Sequence, residues 1–327
     1  MSEPKNHHLL PASYLRGFCD RRRHTKENHD ENWRGRCSVY VHDRRRLQEG
    51  PPECRKRGLN NVASERHFNS ADIPGRGRDT EPEQKLGVLD GHAASILRNL
   101  HPGYALADDE RARLARFVAY SKFRAPSYRA WLEDFATATY PEMRRRFFPT
   151  VASIEEYMGA KGFPVAGLPR SAFEAIYRDI HEDRSALKVD KNYMLMRMFE
   201  MGDETASILF AYDWTFAWAA KDASFITSDD PFLVLDEDLK APPGFVGEAR
   251  ITTPNSKKVF PLSQEVCLVV GTGAPAERHI KIDRPTVQQI NLAQARHYDR
   301  WLIAKDQALY ERFASEADSG AEEGGRP

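Results

Sequence analysis

The sequence predicts an α+β fold: an N-terminal β/loop lobe, a central helical block, and a C-terminal, mostly antiparallel sheet with one helix. Three observations predict it. Residues 1–80 carry short β-prone runs between turn-forming residues, residues 81–202 repeat apolar side chains at helical spacing, and residues 203–313 change to strand-like alternation. A chain of 327 residues can bury a substantial core, and 41% hydrophobic with 29% charged residues places it among globular proteins. The reading is one composite domain over 1–313, with a disordered Gly/Glu/Ser/Ala-rich tail at 314–327.

In the first lobe, Ser38–His42 is the β-prone run, and Asp43 to Arg46 leaves it as a basic turn. Gly58, Asn60, Asn61 and the Pro51-Pro52 pair punctuate the remainder, and the polar stretch 21–36 reads as an exposed insertion loop. The first long helix starts near residue 81. Thr80 is placed to cap it, Pro82 suits its first turn, and Glu81 and Glu83 suit the positive end of its dipole. Leu86, Leu89, Ala93, Ile96, Leu97 and Leu100 form its buried stripe.

A second helix spans about 108–124, with Pro126 stopping or kinking it. A third covers 127–147 and ends in Arg144-Arg145-Arg146, cations that suit a helix C-terminus. Shorter helices are predicted over 153–159, 170–181 and 190–201. Trp214, Phe216 and Trp218 then alternate with Thr215 and Ala217, the period of a half-buried strand. Phe225–Thr227 and Phe232–Leu235 read as further strands and 236–256 as a loop. Two short apolar runs follow within 259–270, then a helix over 285–298 and a closing strand at Trp301–Ala304.

Lys plus Arg and Asp plus Glu both total 48, so the formal net charge is zero, but its distribution is uneven. Residues 1–80 hold 17 basic against 11 acidic residues and six of the 11 histidines. That bias suits a nucleic-acid or phosphate-bearing partner, and equally a solvated arginine-rich face. Cys19, Cys37, Cys54 and Cys267 match no zinc spacing, and reduced structural thiols in a cytoplasmic protein are expected. No apolar run reaches the roughly 18 residues of a spanning helix, and the first ten residues have no apolar core of a secretory signal.

Seven segments, in order, carry a resemblance. They are His7-His8-Leu9-Leu10-Pro11-Ala12-Ser13-Tyr14-Leu15-Arg16-Gly17-Phe18, Val39–Val41, Asn61–Phe68, Arg124-Ala125-Pro126, Phe225–Pro231, Phe260–Ser263 and Ile290-Asn291. Together they resemble the uncharacterised family catalogued as domain of unknown function 4238, over roughly residues 5–305. Two positions depart from its pattern: Ser121 stands where the family often has Gln, and Asp230 where it often has Asn. The resemblance implies no activity.

Several residues carry candidate chemistry. His7 or His8 is a candidate base or ligand; adjacent residues of an extended chain face opposite ways, so one of the two enters a given site. Asp229, after a strand end, and Glu65, two residues before His67, are candidate acids or ligands. Arg16 and Arg124 are candidate phosphate clamps, with Tyr14 and Ser228 beside them in the substrate-binding set. Each has a structural alternative: the histidines pack the N-terminal segment, Glu65 and the arginines form internal ion pairs, and Ser228 with Asp229 makes a local turn. Walker, dinucleotide-binding, zincin and deaminase signatures are absent.

The sequence expectation is a hydrolase acting on phosphodiesters or nucleic acid, with Mg or Mn as the candidate metal. The alternative is a non-catalytic binding or regulatory protein whose motifs are structural. The enzyme requires distant imidazole, guanidinium and carboxyl groups to meet in one hollow.

Overall fold

The computed structural model describes residues 6–19, 37–44, 55–73, 75, 77–182, 189–236, 251–309 and 311–313. The insertion loop expected at 21–36 and the tail expected at 314–327 lie outside these residues, as does Cys54. The architecture is α+β. Contacts divide the chain into two compact units, one built from residues up to Tyr128 and from Leu195 onward, the other from Arg129–Met194.

The larger unit holds two main sheets. In the first, β7 (Trp214–Ala219), β9 (Leu233–Leu235), β10 (Lys257–Pro261), β11 (Val266–Val270) and β12 (Glu277–Ile282) take the order β12-β7-β11-β10-β9. Only the β7–β12 pair is parallel; the other three are antiparallel. The second sheet is antiparallel and joins the N-terminal lobe to the C-terminal part of the chain. β2 (Ser38–Asp43) and β3 (Arg55–Gly58) pair with each other, and β2 also pairs with β13 (Trp301–Ala304), which pairs with β8 (Thr227–Ser228).

β1 (Asn6–His8) pairs with β4 (Ser64–Arg66), and β5 (Ala71–Ile73) with β6 (Gly77–Asp79). Helices α1 (Ala12–Leu15), α2 (Glu81–Asn99), α3 (Asp108–Phe123) and α8 (Arg284–Arg296) complete the frame. One core runs through both main sheets and these helices, from Leu9, Leu15 and Phe18 through Phe117 to Trp214, Phe260 and Ile303.

The smaller unit contains most of α4 (Pro126–Phe147), with α5 (Val151–Ala160) and α6 (Arg170–His181). Ile154, Phe173 and Ile180 form its core. Thr150 caps α5 by accepting from the Ser153 N–H.

Several sequence expectations are corrected. Thr80 occupies the N-cap position of α2, but its side chain caps nothing. Pro126 opens α4, where a missing N–H costs no helical bond. The helix expected to end near 201 continues as α7 (Lys191–Ala211), passing through Gly202. A Cβ at Gly202 would lie 2.8 Å from the Tyr120 ring, so glycine here permits close packing of α7 on α3. Strand β12 was not expected, and the strand near 225 is reduced to Thr227–Ser228. The cysteine expectation fails for one pair: Cys19 and Cys37 form a disulfide, their Cα atoms 6.1 Å apart and both side chains buried. Cys267 is free and buried. No helix among the described residues is long and apolar enough to cross a membrane.

Candidate functional site

The β1–β4 pairing sets His7 directly across from Glu65 and His8 across from Ser64. Residues opposite one another share a face, so the His7 and Glu65 side chains emerge together. His7 is fully buried. Its Nδ1 accepts from the Asn69 backbone N–H at 3.0 Å, which leaves the ring proton on Nε2 in the neutral form. Glu83 on α2 approaches Nδ1 at 3.5 Å and accepts from the Asn69 side-chain amide at 2.8 Å. Among the described residues His7 Nε2 has no hydrogen-bond partner. The His67 ring meets His7 edge-on at 5.9 Å, and both Ala63 (φ 46°) and His67 (φ 56°) sit in the left-handed region.

Tyr14 on α1 reaches across to the other end of the chain. Its hydroxyl donates to the Pro261 carbonyl at 2.6 Å, which makes Thr227 Oγ1, at 2.7 Å, the donor to it. Burial pushes the phenol pKa up, so this hydroxyl stays protonated and keeps donating. Phe18, Phe117 and Phe260 surround the ring.

Arg124, 1% exposed, grips both Asp90 oxygens at 3.0 Å. Asp230 accepts from Lys122 at 2.8 and 3.0 Å and from Ser127 at 2.8 Å, which ties the Arg124–Pro126 segment to the turn around residue 230. Ser228 donates to Gln294 and accepts from the Asp230 N–H, a local turn bond. Asp229 accepts from the backbone N–H groups of Asp299 (3.1 Å) and Arg300 (2.8 Å), and its own N–H goes to the Trp301 carbonyl. Burial above all, and then Asp299, pushes its carboxyl up to about 7 against the pull of those N–H groups.

The candidates therefore divide. His7 and Glu65 come together, and Tyr14 joins the Thr227 strand, but no hydrogen bond or ion pair joins His7 to Asp229 or Arg124 among the described residues. No group of three or more His, Cys, Asp or Glu side chains suited to a metal ion occurs among them either.

Two open clefts in the larger unit present different residues. The first, of about 880 Å³, is lined by Trp218, Lys221, Lys281, Lys305, Glu265 and His279 among others. The second, of about 750 Å³, is lined by Tyr14, Arg16 and Arg98 and shares Trp218 and Glu265 with the first. Of the predicted site residues, only Tyr14 and Arg16 border either cleft.

Trp218 is held by His279 of the neighbouring strand β12. Its indole N–H donates to His279 Nδ1 at 3.0 Å, with the ring planes 18° apart, so the two rings form a nearly flat aromatic surface. That bond places the His279 proton on Nε2, facing Glu277 at 3.5 Å. Phe216 stacks on His279 at 4.8 Å. Lys281 lies in register with Trp218 across the β7–β12 pair, and Lys305 donates to Ser224 Oγ at 2.6 Å. Lys221 and Lys281 are exposed and enter no ion pair among the described residues. Three ammonium groups thus face this cleft against the one carboxylate of Glu265.

Lys221, Lys281, Lys305 and His279 belong to no motif and are scattered along the chain, so sequence reading missed them. The one available signal was the Trp214-Phe216-Trp218 alternation, which ends with an aromatic at the rim of the sheet.

A family model described as "Protein of unknown function (DUF4238)" matches residues 6–308. Neither the curated proteins nor the solved structures yield a match.

Proposed function

The chain belongs to the DUF4238 family of unknown function, and we propose that it is a non-catalytic binding protein for a phosphate-bearing ligand, with the family's motif residues holding the fold. The cleft around Trp218 carries this reading. Lysines act as mobile point charges for phosphate, and a flat indole–imidazole surface suits a planar group attached to it. The burial and internal pairing of Arg124 and Asp229 support a structural role for those motifs. So does Asn291, which clamps the segment before β8 through the Ile226 N–H and the Ser224 carbonyl.

Calorimetric titration with a nucleoside monophosphate and with inorganic phosphate tests the reading. Saturable binding is expected, weakened about tenfold by Lys281→Glu. Absence of saturable binding, or binding indifferent to Lys281→Glu, contradicts it.

A hydrolase acting on phosphodiesters is the second reading, favoured by one observation: the buried, unpartnered His7 Nε2 beside two left-handed residues, a kind of strain that gathers at active sites. It requires turnover of RNA or DNA, with or without Mg²⁺ or Mn²⁺, that His7→Ala abolishes. The cytoplasm is the proposed compartment, although a Cys19–Cys37 bond favours an oxidising one. Alkylation of both cysteines in fresh lysate is the result the cytoplasm requires.

A further inference from the structure

The two clefts are neighbours: Trp218 and Glu265 line both, and side by side they make a groove with two arms. Lys221, Lys281 and Lys305 lie along one arm. Arg16 and Arg98 lie along the other, where the end of α2 meets the turn after α1. Five cationic side chains therefore face a groove whose lining holds a single carboxylate, on a chain with no net charge. Arg98 is exposed and, like Lys221 and Lys281, has no ion-pair partner among the described residues. Positive charge on both sides of an aromatic side chain fits a ligand with several phosphates and at least one exposed ring.

We infer that the groove binds single-stranded nucleic acid, the backbone running along both basic arms and a base lying on Trp218. This inference rests on the phosphate-binding reading above and extends it from one phosphate to a chain of them. A single strand offers an unpaired base for the indole at the junction of the arms, whereas a duplex keeps its bases stacked inside. The polar groups of the second arm (Ser13, Ser95, Asn99 and Ser263) can bond to sugar and phosphate oxygens without reading sequence.

Fluorescence anisotropy of the full chain with labelled thymidine and uridine oligomers tests it, comparing a mononucleotide with an oligomer of about 12 nucleotides. The oligomer is expected to bind at least about tenfold more tightly, with affinity falling as salt rises. Arg98→Glu should remove the gain from added length, lowering oligomer affinity by more than mononucleotide affinity, while Lys281→Glu should weaken both to a similar degree. Trp218→Ala should lower oligomer affinity by about fivefold or more, and an abasic oligomer should bind wild type and Trp218→Ala equally. Circular dichroism confirms that each variant is folded. An oligomer that binds no better than the mononucleotide, an Arg98→Glu variant that keeps the length dependence, or a duplex that binds as tightly as the single strand overturns the inference and leaves the phosphate-binding reading standing. If neither mononucleotide nor oligomer binds, both fall together.

Discussion

Asp229 was a candidate acid, and its surroundings show a carboxyl engaged with the backbone instead. It receives two N–H groups just ahead of β13, in a site so buried that the carboxyl is pushed from 3.8 to about 7. The native state then holds a proton between about pH 4 and pH 7 that the unfolded chain has released, so stability falls as pH rises through that window. The contribution is at most about 4 kcal/mol, fully present below pH 4 and lost above pH 7. Urea denaturation at pH 5 and pH 7.5 should show that the change in stability toward higher pH is less unfavourable in Asp229→Asn than in wild type. An identical pH slope in the two proteins contradicts this role. At this scale the sequence showed which residue types are unusual but not which way they point. Tyr14, Arg124 and Asp229 sit in motifs, and each spends its polar atoms inside the protein.

Among the elements, helix periodicity was the most legible signal, because α2, α3 and α6 each bury a stripe against the rest of their unit. The end of α7 was misread because Gly202 looks like a stop signal. In the fold it is a contact point, with Tyr120 packed where a side chain would be. Alanine normally favours a helix interior over glycine by about 1 kcal/mol. Here the added methyl meets a ring that is only 4% exposed and already packed on Phe199, so overpacking at about 1–3 kcal/mol wins. Gly202→Ala should therefore lower the urea midpoint, and an unchanged or higher midpoint would show that Tyr120 gives way. Strand β12 escaped notice because Glu277-Arg278-His279-Ile280-Lys281-Ile282 alternates no clean apolar face, as befits an edge strand kept polar. That same edge carries His279 and Lys281 to the cleft.

Across the whole molecule, β2 and β3 from the N-terminal lobe share a sheet with β13, the last strand, so early and late parts of the family match are built into one frame. The Tyr14 bonds to Thr227 and Pro261 and the Gln264 bond to the Cys19 carbonyl draw the opening motif onto the C-terminal strands. The α+β class was legible from the switch of period along the chain. The cleft was not, because its lysines come from three separate stretches and only folding puts them around Trp218. The most direct measurement is photo-cross-linking of an azido-adenine nucleotide to the full chain, followed by peptide mapping. Phosphate binding at the Trp218 cleft predicts label on the peptides bearing Trp218, Lys221 and Lys281, competed away by unlabelled nucleotide. Label confined to the peptides bearing His7 and Glu65 would contradict it and move the ligand to the buried histidine.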